Sequence, residues 1–117
     1  MLPLVFAKAK HAAKLITDKN KEYQRNGDRM IEMILKVMNP TGLHARPAAQ
    51  FVQKAASFSS KVKISGNNKV ADAKSILSVM SMGLVYGTAI TIAAEGEDEK
   101  ECIEALTALV KSNFGER

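Results

Sequence analysis

The chain has 117 residues, of which 46% are hydrophobic and 25% charged, a balance that fits one soluble domain with one modest core and excludes a fibrous or disordered chain. Most of the formal net charge of +5 lies ahead of Met30, and with only 5% aromatic residues in the whole chain this leaves no domain-wide footprint for nucleic acid. Cys102 is the only cysteine, so an internal disulfide is excluded and a reducing, cytoplasmic setting is expected; one cysteine and two widely separated histidines assemble no metal cluster.

Residues 1–29 read as a basic extension, helical or flexible, ahead of a domain at 30–117. Leu4 to Gln24 has helical spacing, with Val5, Ala9, Ala12, Ile16 and Tyr23 falling on one face, and Asn26-Gly27 would end such a helix. Three readings stay open for it: a solvated tail ahead of Met30 as the natural first residue, an amphipathic helix that docks on the domain or a partner, and a basic membrane-surface helix. The last is disfavoured by an apolar face made mostly of alanine. The apolar run Leu2 to Ala7 is too short to span a bilayer and has no basic stretch before it, so neither membrane insertion nor a signal peptide is expected.

From Met30 the period changes to two. Met33, Leu35 and Val37 alternate with Glu32 and Lys36 as a half-buried strand, which Asn39-Pro40 ends. Asn39 to Ala49, NPTGLHARPAA, then opens a helix. Gly42 permits a tight approach, His44 sits at the helix mouth, Ala45 and Arg46 enter the first turn, and Pro47 falls where a missing N–H costs nothing. Orphan N–H groups and the positive end of the helix dipole make that mouth a site for a phosphoryl group or another anion, to which Arg46 adds fixed charge. The same field disfavours a second positive charge on the ring, which keeps a ring nitrogen of His44 available as a nucleophile. The plain alternative is that His44 only caps the helix while Arg46 is solvated.

That helix is predicted to run to about Ala56, burying Ala48, Val52, Ala55 and Ala56, with Phe51 and Phe58 at its flank and end, where core packing is expected of them rather than ligand contact. Val62 and Ile64 alternate with lysines in a second strand, and Gly66-Asn67-Asn68 turns the chain into a short third strand at 69–71. Ser75 stands where a hydroxyl caps an apolar helical run. Gly83 and Gly87 bracket a loop, Ile90, Ile92 and Ala94 mark a fourth strand, and Asp98 with Glu101 reads as a capping box for a last helix. Ile103, Leu106 and Val110 of that helix face the sheet with Leu109 and Cys102, the cysteine as a small core residue rather than a reactive thiol. The order βαββαβα implies an α+β open-faced sandwich, a four-stranded antiparallel sheet with helices on one face.

Gly42-Leu43-His44-Ala45-Arg46-Pro47-Ala48 resembles the active-site signature of HPr, the histidine-containing phosphocarrier of the bacterial phosphotransferase system. Lys74 to Leu84, KSILSVMSMGL, resembles the regulatory-serine segment of HPr in Gram-positive bacteria, and the likeness runs from about Met30 to Phe114. The resemblance implies the same open-faced fold and a sugar-transport relay: His44 accepts phosphate on Nδ1 from phosphorylated enzyme I and donates it to sugar-specific enzyme IIA domains. Arg46 would neutralise the phosphate, and Thr41, Gly42, Ala45 and Pro47 would shape its loop. Ser75 would be phosphorylated by a serine kinase and restored by a phosphorylase, with a catabolite-control transcription factor as a further partner, and Ile76, Leu77 and Met80 would meet partners on a run divided between core and surface. No cofactor or metal is implied. Alternatives are a nitrogen-branch phosphocarrier, which the Ser75 segment argues against, and a regulatory corepressor acting through phosphorylated Ser75, whose known counterpart in the family lacks the active histidine. Nucleic-acid binding by the extension is the remaining one.

Overall fold

The computed structural model describes residues 15–16 and 30–116. In chain order the elements are β1 (Leu15–Ile16), β2 (Ile31–Lys36), α1 (Ala45–Ala56), β3 (Lys61–Gly66), β4 (Lys69–Asp72), α2 (Ile76–Met80), β5 (Ala89–Glu95) and α3 (Glu99–Lys111), followed by a 3-10 turn at Asn113–Gly115. The sheet order is β1-β2-β5-β3-β4, antiparallel throughout except that β1 runs parallel to β2.

Period-two alternation decides which side of the sheet is the core. Met33 stands opposite Ile92, Ile92 opposite Ile64 and Ile64 opposite Ala71, so one row of buried apolar side chains crosses all four antiparallel strands. The helices cover this face, with Ala48, Phe51 and Ala55 of α1 and Ile103, Leu106 and Val110 of α3 completing a single cluster. The turn between β3 and β4 uses two left-handed residues, Asn67 (φ 53°) and Asn68 (φ 62°), the conformation that matches the right-handed twist of a hairpin. The Asn67 side-chain amide also donates to the carbonyls of Met82 and Gly83, tying the hairpin to the loop after α2.

Four expectations are corrected. On α1 the buried stripe is Pro47, Ala48, Phe51 and Ala55; Phe51 is core, as expected, but Val52 is only half-buried and Ala56 is exposed: positions i, i+3 and i+7 share the inner face, and Ala56 is one step round from it. Asp98 makes no capping bond to α3. Its carboxylate instead accepts, across the fold, from the N–H groups of Ser59 and Ser60 and from the Ser60 hydroxyl, while Glu99 accepts the Gly96 N–H three residues back, a contact within one turn. Glu32 lies on the face away from the helices, yet it is buried, and desolvation raises its carboxyl above the ordinary range. Leu15 and Ile16, inside the stretch expected to be helical, are in strand; the rest of 1–29 lies outside the described residues.

Candidate functional site

The loop between β2 and α1 is shaped by a turn and a close approach. Gly42 N–H donates to the Asn39 carbonyl, Leu43 N–H donates to the Leu84 carbonyl at 2.8 Å, and Gly87 N–H donates to Val37 at 2.6 Å. The loop at 84–88 therefore braces both the end of β2 and the mouth of α1. Gly42 has φ +71°, and a Cβ there would stand 2.5 Å from the Leu84 oxygen, so this position requires glycine on conformational and steric grounds alike.

His44 is the N-cap of α1, with extended backbone (φ −87°, ψ −162°) and no side-chain cap bond, so its ring is left for chemistry while its carbonyl accepts the Ala48 N–H at 2.8 Å. The plain capping role is thus not what the imidazole does. Its side chain is 51% exposed. The N–H groups of Ala45 and Arg46 fall in the first turn, where no carbonyl one turn earlier takes them up, and Pro47 has none to leave orphaned. No acidic residue occupies that turn, and the Arg46 side chain is exposed beside it, so the field at the ring is positive on the helix side. Pro47 and Leu43 are buried and anchor the turn in the core.

Two residues that pattern reading did not single out complete the surroundings. Asn39 is fully buried, and its amide donates to the Gly42 carbonyl at 2.8 Å and to Glu116 Oε1 at 3.2 Å. Glu116, beyond the 3-10 turn that follows α3, receives the Thr41 hydroxyl, which lies 2.6 Å from Oε2 and 2.8 Å from Oε1, and the Thr41 N–H at 3.4 Å. The Thr41 hydroxyl, then Asn39, the Thr41 N–H and the nearby His44 hold its carboxyl below the ordinary range. Glu116 Oε2 is 3.8 Å from His44 Nε2. Asn39 was legible only as a strand terminator, and nothing in local sequence links Glu116 to His44.

The second motif divides as its spacing suggests. Ser75 caps α2, its Oγ accepting from the Ser78 N–H at 3.4 Å and donating to Ser78 Oγ at 3.0 Å. Val79 is buried, whereas Ile76, Leu77 and Met80 are 37%, 77% and 39% exposed. Because α2 packs on α1, that apolar surface lies on the element beside the His44 helix. Val85 and Tyr86, on the loop that meets Gly42, are exposed too and were not anticipated. Cys102 is buried and its thiol is pushed up to about 11, chiefly by desolvation, as suits an inert core residue.

Comparison with known proteins agrees with this geometry. A family model described as the PTS HPr component phosphorylation site matches residues 31–112. The chain is 46% identical over 81 residues to the phosphocarrier protein HPr of Buchnera aphidicola subsp. Acyrthosiphon pisum (strain APS), covering 69% of this chain and 95% of that one. It is 45% identical over 82 residues to the HPr-like protein Crh of Halalkalibacterium halodurans, covering 70% and 98%. Among solved structures, that of HPr-C-His from Thermoanaerobacter tengcongensis superposes with a TM-score of 0.71 at 49% identity, covering 74% of this chain and 97% of that one.

Proposed function

Because the chain belongs to the HPr family of phosphotransferase-system phosphocarriers, we propose that His44 accepts a phosphoryl group from phosphorylated enzyme I and passes it to sugar-specific enzyme IIA domains in the cytoplasm. The observation that carries this reading is an exposed imidazole at the mouth of α1, uncommitted to capping, with Arg46 exposed in the same turn.

The chemistry follows from that placement. A ring nitrogen attacks phosphorus and the electron pair of the old bond leaves with the donor. As phosphate arrives, the Ala45 and Arg46 N–H groups and the guanidinium meet its oxygens, supplying charge-assisted hydrogen bonds where negative charge accumulates. Exposure suits a relay, since donor and acceptor proteins must each reach the same ring. Thr41, Gly42, Ala45 and Pro47 support the loop, and Ile76, Leu77 and Met80 offer apolar contact area to partners. Ser75 is the regulatory position, a substrate for a serine kinase/phosphorylase, and its phosphorylated form is read by a catabolite-control transcription factor. The presence of His44 favours the carrier over a corepressor alone. Residues 1–29 are a basic extension ahead of the carrier domain at 30–117, and Leu15–Ile16 of it pair with the edge of that domain's sheet.

Incubation with enzyme I, Mg²⁺ and phosphoenolpyruvate should add one acid-labile phosphate to the chain. His44→Ala should abolish the modification, whereas substitution of the chain's other histidine, His11→Ala in the basic extension and outside the matched motif, should leave it unchanged; the opposite pattern refutes the assignment.

A further inference from the structure

We infer that Glu116 is a positioning residue for phosphoryl transfer: held by Thr41 and Asn39 on the Nε2 side of the ring, it keeps the proton on Nε2 and balances the positive charge that the ring acquires when Nδ1 bonds to phosphorus. The inference rests on reading His44 as the phosphoryl acceptor. Glu116 places one oxygen, Oε2, 3.8 Å from His44 Nε2, and the other, Oε1, against the Asn39 amide and the Thr41 N–H. The Thr41 hydroxyl touches both oxygens at 2.6 and 2.8 Å, so the carboxylate is oriented rather than loosely tethered. Asn39, fully buried and bonded also to the Gly42 carbonyl, fixes the orientation to the same turn that presents His44.

An anion aimed at Nε2 stabilises the tautomer protonated there and leaves Nδ1 with its lone pair. The arrangement is that of a carboxylate behind an imidazole, one nitrogen oriented and the other free to react. At 3.8 Å the pair is longer than a hydrogen bond, so in the resting chain the carboxylate acts on the N–H dipole of the neutral ring; the interaction becomes charge on charge, and stronger, as the ring becomes a phosphoimidazolium. Electrons and protons balance without a further reactant. Nδ1 forms the new bond to phosphorus, the donor departs with the electron pair of the old one, and Nε2 keeps its proton throughout. The Ala45 and Arg46 side meets the phosphate oxygens while the Glu116 side meets the cationic ring, so opposite edges of one imidazole face opposite charges.

The test uses the full chain and a small donor, phosphoramidate, whose phosphorus–nitrogen bond breaks as ammonia leaves with that electron pair and a solvent proton. At pH 8, phosphohistidine formation is followed against donor concentration for the unsubstituted chain, Glu116→Gln, Thr41→Val and His44→Ala. Glu116→Gln retains the shape and the Thr41 contact but not the charge. It should lower the maximal rate about fivefold, the scale of an exposed ion pair, with the KM for phosphoramidate unchanged, and the gap should narrow in 1 M salt. Thr41→Val, which leaves the charge but frees the carboxylate, should move the rate the same way by a smaller factor, so the inference does not depend on one variant folding. A Glu116→Gln rate equal to or above that of the unsubstituted chain overturns the inference, because the carboxylate would then be a bystander or an electrostatic obstacle. Should the Glu116 dependence appear with phosphoramidate while enzyme I transfers nothing, the relay assignment fails and the role of Glu116 stands. Absence of any modification at His44 by either donor overturns both.

Discussion

Single side chains in this molecule separate into those whose charge serves the site and those whose charge serves the fold. Arg46 is exposed in the first turn of α1, so its desolvation is small and its removal leaves no buried group unpaired. Arg46→Ala should therefore slow enzyme I-dependent phosphorylation about tenfold, the loss of one charge-assisted contact, while the melting temperature stays within about 2 °C. Asp98 works the other way. The Ser60 hydroxyl, with the N–H groups of Ser59 and Ser60, bonds its ionised form and draws its pKa down to about 2. A carboxyl depressed on folding contributes stability above its unfolded value near 4, and that contribution is lost as pH falls through about 2. Asp98→Ala should lower the melting temperature at pH 7, and the gap from the unsubstituted chain should close progressively between pH 4 and pH 2. A gap that is independent of pH over that range would mean that Asp98 acts through packing alone.

At the scale of elements, α2 is divided between two tasks. Five residues long, it buries Val79 against the core and turns Ile76, Leu77 and Met80 outward, with Ser75 at its cap. A dianionic phosphate on Ser75 would sit at the edge of this apolar surface without entering the core, so its effect falls on association rather than folding. Acidic groups on partners that must also reach His44 would be repelled. Ser75→Asp should accordingly raise the apparent KM for enzyme I severalfold at low salt, with relief at high salt where the charges are screened, and Ser75→Ala should transfer normally. Equal kinetics for Ser75→Asp and the unsubstituted chain at low salt would reduce Ser75 to a helix cap.

At the scale of the whole molecule, the apolar cluster among the described residues is assembled from residues 31–114. That predicts an independent domain: a chain beginning at Met30 should unfold cooperatively and accept phosphate from enzyme I at the rate of the full chain. Its difference should lie at the sheet edge. In the full chain Leu15 and Ile16 run beside Glu32 and Met33, covering part of the outer edge of β2, and the shortened chain leaves those backbone groups open. Amide exchange in β2 on that edge should be faster in the shortened chain, while exchange in β3 and β5 stays the same. Loss of cooperative unfolding would show that the extension is part of the core fold.

What the sequence determined by itself is local. Period-two alternation marks β2, β3 and β5, paired asparagines mark the hairpin, and a histidine two residues after Gly42 marks the mouth of α1, because each depends on neighbours within one turn or one pleat. The fold class and the position of His44 were legible for that reason, and the family motif rests on the same short-range residues. Tertiary structure alone decided the rest. Ala56 turns outward on α1 and Val52 is only half-buried because the azimuth of a helix is set by what it packs against. Asp98, which by spacing caps α3, is drawn to Ser59 and Ser60 because the loop before β3 brings two N–H groups and a hydroxyl within reach. Glu116 meets Thr41 and the ring of His44 only when the end of the last helix closes over the β2–α1 loop. Such contacts depend on distances between segments remote along the chain, and no periodicity encodes a through-space distance.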